Sequence, residues 1–256
     1  MVLFASELKS FHRHPGFQKE IDHNAISLYL SHGYISAPYS IFKNTHKLIP
    51  GHILTLDLRT QSTAIEKYWD VNDYYNQPRL NISFREAMEE TEKILSSAFQ
   101  YRMVSDVPVG VFLSGGYDSS AVAALLQKNS SQKIKTFTIG FHEQEFNEAK
   151  YAKEVANYLG TEHYEYYCTF KEALEIIPKI PDIYDEPSGD SSIIPTTLVS
   201  TVARQKVTVA LSADGGDEVF AGYPKYIKGV KYFSMLNKIP QPLARLAAGL
   251  MQIFQP

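Results

Sequence analysis

The chain has 256 residues, of which 44% are hydrophobic and 21% are charged, and its formal net charge is −3. This length accommodates one large domain, or one domain and part of another. The sequence has no basic run of the kind that binds duplex nucleic acid, and no apolar stretch near the ~20 residues that span a bilayer. We therefore expect neither nucleic acid nor a membrane as a partner.

The cysteine and histidine content restricts the kinds of site and the cellular compartment that we expect. The single cysteine, Cys168, excludes a disulfide framework within the chain and a paired-cysteine zinc or redox site. We expect it to be packed at the end of a strand. The eight histidines are scattered without ligand spacing, which favours surface residues over a metal site. With no signal sequence after Met1, the pattern predicts a cytoplasmic protein.

Residues 1–75 predict a small, β-rich segment. A short helix is expected over 24–30, and a Pro-Gly turn at 50–51 leads into an alternating strand over 53–58. Residues 63–69 predict its antiparallel partner. The polar stretch 71–81 is typical of a linker, so we predict a domain boundary near residue 75 and a second domain over 76–256.

Beyond the linker, apolar strands alternate with amphipathic helices. A capping box from Ser83 to Glu86 predicts the start of a long helix with one buried face. Asn147 is expected to cap a later helix that ends at Gly160. Strands are predicted over 109–113, 134–141, 163–167 and 207–211. Such alternation predicts an α/β fold with a parallel sheet covered by helices on both faces.

The stretch 111–120 predicts an anion site. An apolar strand runs into a Ser-Gly-Gly turn and then into the polar start of a helix, where main-chain N–H groups converge. Gly115 and Gly116 would let the backbone turn sharply and approach a ligand. A carboxylate beside phosphate, here Asp118, makes sense chiefly when Mg²⁺ lies between them. The expected hydroxyl donors are Ser114, Ser119 and Ser120.

Two familiar nucleotide-binding loops are absent from the sequence. Neither Gly-x-x-x-x-Gly-Lys-Ser/Thr nor Gly-x-Gly-x-x-Gly occurs. Amides, hydroxyls and a metal-binding carboxylate suit the β- and γ-phosphates of a departing pyrophosphate. The alternative is an ordinary tight turn between a strand and a helix.

A second motif, the acidic loop 211–223, follows the last predicted strand. Its three carboxylates are Asp214, Asp217 and Glu218, and they cluster around two glycines. Like charges this close are costly without a cation, although a solvated acidic turn is the alternative. Ser114, Ile139 and Ser212 each fall at the carboxyl end of a predicted strand, where ligands of open α/β sheets bind. We predict that Asp118 and Asp217 hold the metal, with Asp214 nearest the reacting carboxyl group.

These motifs resemble a known family. Segments 105–120, 137–141 and 211–223 are similar to the synthetase domain of glutamine-hydrolysing asparagine synthetases. The segment 185–195 resembles the family's stretch near the amino-acid substrate. Segments 4–9 and 41–52 resemble the end of the family's glutaminase domain, so residues 1–75 would be the remnant of an N-terminal-nucleophile-type domain.

The resemblance implies a fold of the ATP-pyrophosphatase type, also called adenine nucleotide alpha-hydrolase-like, with ATP and Mg²⁺ as cofactors. Aspartate would be activated as β-aspartyl-AMP with release of pyrophosphate, and ammonia would then displace AMP to give asparagine. Leu113 and Ile139 would border the adenosine, Ser212 and Ala213 would line it through their main chain, and Asp214 would serve adenylate formation. Ala213 and Ala221 stand where the family commonly has glycine.

The sequence also departs from the family at both ends. The family's N-terminal glutaminase cysteine has no counterpart, and later synthetase segments are missing. We therefore expect a fragment that cannot hydrolyse glutamine and that takes ammonia directly. Two other functions stay open: a ligase acting on another carboxylate, such as a sugar acid of a surface polysaccharide, and a non-catalytic nucleotide-binding remnant. A separately encoded partner and a homodimer also stay open.

Overall fold

A computed structural model describes residues 2–142 and 147–241. The chain divides into two compact units, each built from three separated stretches. Unit one comprises Met1–Ile94, Ile139–Asn147 and Tyr166–Gln205, and unit two comprises Leu95–Thr138, Glu148–Glu165 and Lys206–Pro256. The predicted division at residue 75 stays a prediction.

The N-terminal part of unit one contains the predicted helix and hairpin. Helix α1 (His23–His32) begins where the Asp22 carboxylate accepts the Asn24 N–H at 2.9 Å, and it ends at Gly33 in the left-handed conformation. Strands β1 (His52–Leu56) and β2 (Thr63–Lys67) pair antiparallel, as predicted. Residues 71–75, expected as linker, instead form helix α2 (Val71–Tyr75) because Asp70 caps them by accepting the Asn72 N–H at 2.8 Å.

Helix α3 (Phe84–Met103) confirms the predicted capping box. The Glu86 N–H donates to Ser83 Oγ at 3.3 Å, and the Ser83 N–H donates to Glu86 Oε2 at 2.7 Å. The predicted single buried face is wrong for Phe84, Met88 and Ile94, which are exposed. Helical spacing fixes which side chains share a face, but it does not specify what covers that face.

A four-stranded sheet follows the predicted strands. Its strands are β3 (Val109–Phe112), β4 (Lys135–Phe141), β5 (Glu162–Cys168) and β6 (Val209–Leu211), in the order β5-β4-β3-β6. Strand β3 pairs in parallel with both β4 and β6, so that Val111 lies opposite Thr136 on one side and Leu211 on the other. The predicted parallel sheet is thereby confirmed, and β3 and β6, which precede the two motifs, are neighbours.

Two helices of unit two pack against this sheet. Helices α4 (Tyr117–Lys128) and α5 (Ala149–Leu159) bury small and branched side chains against those of β3. Helix α5 follows Glu148 rather than the predicted cap Asn147, and it ends at Gly160 with φ +71°, as expected. The core of unit two consists of Val111, Leu113, Val122, Ala123, Leu126, Ile134, Ala152 and Ala156.

A second core lies in unit one. Helices α6 (Phe170–Ile176), α7 (Ile180–Ile183) and α8 (Ile193–Ala203) belong to it. Buried Cys168, Ile176 and Leu198 form its centre, so Cys168 is a packed strand-end residue, as predicted. Unit two continues after β6 with α9 (Gly216–Phe220) and α10 (Pro224–Leu236). Across the described residues, none of the helices combines the length and apolarity that a membrane crossing requires.

Candidate functional site

The Ser-Gly-Gly turn between β3 and α4 is held by its own hydroxyl groups. Ser114 Oγ lies 2.9 Å from Ser119 Oγ and accepts the Gly116 N–H at 3.2 Å, while the Ser114 N–H donates to Ser119 Oγ at 3.1 Å. Ser119 is buried, and Ser114 is exposed. The buried Ser119 hydroxyl therefore stabilises the turn from within, whereas the Ser114 side chain lies on the solvent-exposed side of the turn.

Gly115 occupies a position that no other residue fits well. Its φ is +83°, and a Cβ built on it would lie 2.6 Å from the main-chain nitrogen of Ala152. The turn therefore packs directly on the backbone of α5, and the absence of a side chain permits both the conformation and the approach.

The start of α4 has no side-chain cap. The N-cap residue, Gly116, supplies no side-chain hydrogen bond to the helix. The first N–H groups of an α-helix have no partner within it and carry partial positive charge, which favours an anion in front of them. Asp118 lies in this first turn and is half-buried.

The acidic loop begins where β6 ends. Ser212 Oγ donates to Asp214 Oδ2 at 2.8 Å, and Gly215, with φ +95°, turns the chain into α9. Gly216, the first residue of α9, lies directly against the Asp118 side chain. A Cβ on Gly216 would be 2.5 Å from Asp118 Oδ2 and 2.8 Å from Asp118 Oδ1. The two motifs, separated along the chain, therefore meet at this point.

The other acidic residues of the loop, Asp217 and Glu218, contact residues at the end of the same loop. The carboxylate of Asp217 lies against Gly222, whose N–H donates to the Asp217 carbonyl oxygen at 2.9 Å. The Tyr223 hydroxyl donates to Glu218 Oε1 at 2.9 Å, and this bond raises the pKa of Tyr223 to about 12. Across 2–142 and 147–241, no three potential ligands from His, Cys, Asp and Glu form a metal-binding group.

The donor set nevertheless suits one cation. Mg²⁺ is usually held by one or two carboxylates together with phosphate oxygens, rather than by an all-protein cage. Asp118 and Asp217 are carboxylates in the first turns of α4 and α9, and the two motifs meet at Gly216. They fit that donor set, and their assignment as metal ligands stays a prediction.

The expected nucleotide-lining residues fall in different surroundings. The side chain of Leu113 is buried in the core of unit two and its N–H donates to the Phe137 carbonyl, so any contact with a nucleotide would come from its carbonyl group. Ala213 packs against the same core, and Ser212 is exposed. Ile139 belongs to unit one and packs against the second core. Their roles at the nucleotide stay predictions.

Ala221 shows why glycine would suit its position. It ends α9 in the left-handed conformation, with φ +56° and ψ +40°. A Cβ is unfavourable in that region, whereas glycine adopts it freely.

Comparison with known families decides the relationship. The family model described as Asparagine synthase matches residues 90–253, and the one described as Glutamine amidotransferase domain matches residues 1–69. The chain belongs to the asparagine synthase family.

Relatives in this family match most of the chain. A putative asparagine synthetase [glutamine-hydrolyzing] 2 of Methanocaldococcus jannaschii is 42% identical over 245 residues, which cover 93% of this chain and 46% of the relative. Asparagine synthetase [glutamine-hydrolyzing] 1 of Bacillus subtilis is 32% identical, covering 98% of this chain and 38% of that protein. The chain thus spans less than half the length of these asparagine synthase relatives.

The likeness to solved structures is weaker. An NH3-dependent NAD synthetase from Campylobacter jejuni covers 53% of this chain and 60% of its own, at 16% identity and a TM-score of 0.38. A likeness at that level bears on neither the fold nor the function.

Two features of this family member were not predicted from its sequence. One is the contact of Asp118 with Gly216, because the sequence indicated only that each motif follows the carboxyl end of a strand. The other is a set of contacts between residues 8–47 and the segment 183–189. The sequence feature that could have indicated these contacts is the pair Asp185 and Glu186, two adjacent acidic residues in a segment that otherwise has few charges.

Proposed function

We propose that this asparagine synthase family chain takes part in ATP-dependent amide-bond formation in asparagine biosynthesis. The β-carboxylate of aspartate attacks the α-phosphorus of ATP, which forms β-aspartyl-AMP and releases pyrophosphate. Ammonia then attacks the acyl carbon and displaces AMP. The substrates of this proposal are therefore ATP, aspartate and ammonia.

The turn and the start of α4 would bind the departing pyrophosphate. The first main-chain N–H groups of α4, which has no side-chain cap, and the exposed Ser114 hydroxyl would donate to phosphate oxygens. Such preorganised donors stabilise charge that develops on a leaving group. Asp118 and Asp217 would hold Mg²⁺, which when bound neutralises part of the pyrophosphate charge. Asp214 would lie nearest the reacting carboxylate.

One observation carries the proposal: the Asp118 side chain lies on Gly216, the first residue of α9 within the acidic loop. A phosphate-binding turn alone is common to many functions. A turn whose carboxylate lies against a second acidic loop, at the end of a neighbouring parallel strand, offers donors for both a triphosphate and its cation.

Exchange of labelled pyrophosphate into ATP tests the proposal, because it requires reversible adenylation. We expect the exchange to depend on aspartate and on Mg²⁺, and to fall at least tenfold in Asp118→Asn. The matched control is Asp106→Asn, an exposed aspartate ahead of β3 at the other end of the strand, which should leave the exchange unchanged.

Three outcomes would contradict the proposal. Exchange that occurs with a sugar acid but not with aspartate would identify a different acyl acceptor. ATP binding without exchange under any carboxylate would identify a nucleotide-binding remnant. Equal loss in Asp118→Asn and Asp106→Asn would remove Asp118 from the site.

A further inference from the structure

Two adjacent carboxylates lie at the start of the segment 185–189 and face inward. The side chains of Asp185 and Glu186 are only 17% and 15% exposed. Enclosed carboxylates need hydrogen-bond donors or cations to offset their lost hydration. Each of these two contacts residues of the N-terminal part of unit one.

Both carboxylate oxygens of Glu186 have a partner in the N-terminal part of unit one. The Ile41 N–H donates to Glu186 Oε1 at 2.7 Å, and the Lys47 ammonium pairs with Glu186 Oε2. The same ammonium donates to the Ile35 carbonyl oxygen at 2.6 Å. Lys47 therefore fixes the carboxylate and the backbone of its own region at once, through charge-assisted bonds of the stronger kind.

Asp185 is held in a parallel way. The Leu8 N–H donates to Asp185 Oδ2 at 2.5 Å, and Lys9 Nζ lies 3.6 Å from Asp185 Oδ1. Lys9 also donates to the Ile183 carbonyl oxygen at 2.8 Å. Two lysines and two main-chain N–H groups from residues 8–47 thus surround two neighbouring acids.

The end of the same segment contacts the N-terminal region through its backbone. The Gly189 N–H donates to the Gly33 carbonyl oxygen at 2.7 Å. A Cβ on Gly189 would lie 3.4 Å from the Gly33 Cα, so the two chains approach main chain to main chain. Gly33 has φ +79°, a conformation that glycine supplies at little cost.

We propose that Lys47, together with the Ile41 N–H, positions Glu186 and thereby orders the segment 185–189. The link from this segment to the substrate rests on the proposed function and on the resemblance of segment 185–195 to the family's stretch near the amino-acid substrate. Asp185 and Glu186 are then positioning residues, because their carboxylates are occupied by protein donors rather than open to substrate or Mg²⁺. Residues 8–47 thereby control the order of a segment that resembles the family's stretch near the amino-acid substrate.

Amide hydrogen exchange at Gly189, measured on the full chain, tests the positioning role directly. In Lys47→Met we expect this amide to exchange at least tenfold faster than in the unmodified chain. Lys43→Met is the matched control: Lys43 lies four residues earlier and pairs with Glu20, so its removal should leave the Gly189 amide unchanged.

A second variant, Glu186→Gln, distinguishes loss of the Lys47–Glu186 pair from a general folding defect in Lys47→Met. Glu186→Gln keeps an oxygen that accepts the Ile41 N–H but removes the charge that pairs with Lys47. We expect an intermediate rise in the exchange rate, and no further rise when Lys47→Met is added to Glu186→Gln. Unchanged Gly189 exchange in both variants, or additive effects in the double variant, would overturn the inference.

A kinetic measurement separates this inference from the proposed function. In pyrophosphate exchange, Lys47→Met should raise the KM for aspartate at least fivefold and leave the KM for ATP unchanged. Equal effects on both KM values would contradict the positioning of an acceptor segment. Absence of exchange in the unmodified chain would count against the proposed function, and Gly189 amide exchange would still decide the positioning role.

Discussion

Gly216 shows how a single missing side chain can make a site. Its Cα lies where a Cβ would meet both oxygens of Asp118, at 2.5 and 2.8 Å. Those distances are too short for a real contact, so any larger residue would move the Asp118 carboxylate or the start of α9.

We therefore predict that Gly216→Ala lowers aspartate-dependent pyrophosphate exchange at least tenfold while the fold persists. The control is Gly229→Ala in α10, where no described atom beyond the neighbouring residues and the backbone of its own helix lies within 4 Å of the added Cβ. Alanine is a better helix former than glycine by about 1 kcal/mol, so this control should keep its exchange activity and unfold no more easily. Full activity in Gly216→Ala would mean that the position of Asp118 does not matter.

Ala221 allows a test of backbone strain at the same loop. It holds the left-handed conformation with φ +56°, which costs a residue with a Cβ about 1–2 kcal/mol. Glycine relieves that cost but loses more chain entropy, by about 0.5–1 kcal/mol. We predict that Ala221→Gly raises the free energy of unfolding by about 0.5–1 kcal/mol in urea titration.

Ala213 is the matched control, because the family commonly has glycine there as well. Ala213 packs against the core of unit two and does not have a positive φ. Ala213→Gly should therefore lower the free energy of unfolding. Stabilisation at 213 together with destabilisation at 221 would contradict this account of the two alanines.

At the scale of elements, the start of α6 is stabilised by a capping box and by a tyrosine hydrogen bond. Thr169 caps the helix by accepting the Glu172 N–H at 3.3 Å, and Glu172 accepts the Thr169 N–H at 2.8 Å. The Tyr166 hydroxyl also donates to Glu172. This bond from Tyr166, followed by those from Thr169, lowers the pKa of Glu172 from 4.5 to about 2.

The lowered pKa predicts a pH dependence of stability. The ionised carboxylate favours the folded state, so its contribution is present above pH 4.5 and is lost as the pH falls towards about 2. We predict that Glu172→Gln flattens the fall of unfolding free energy across that window. Glu175→Gln, on the same helix and paired only loosely with Lys171 at 4.0 Å, should not flatten it. Equal curves for the two variants would contradict the capping-box origin.

Periodicity and capping signals predicted most elements correctly, because they depend on neighbouring residues alone. The capping box of α3, the hairpin of β1 and β2, and the strands of the parallel sheet were all predictable. The exposure of Phe84, Met88 and Ile94 in α3 was not, since amphipathic spacing carries no information on what packs against a helix. Helix α2 was missed because the polar composition of 71–81 outweighed the Asp70 cap.

At the scale of the whole chain, the contacts that could not be predicted join residues far apart in sequence. Ile41 and Glu186 are 145 positions apart, and neither belongs to a pattern that names the other. The strand ends, by contrast, could be placed at one edge because parallel topology puts them there. The sequence therefore predicted where the asparagine synthase motifs lie, whereas only the folded chain shows which residues contact Asp185 and Glu186.

Calorimetric titration of ATP, with and without Mg²⁺, tests most directly whether the turn and the acidic loop form one cation-dependent site. We predict that removing Mg²⁺ weakens ATP binding to the unmodified chain at least tenfold. In Asp118→Asn, binding should be weak under both conditions. ATP affinity that is equal with and without Mg²⁺, and unaltered in Asp118→Asn, would contradict the account.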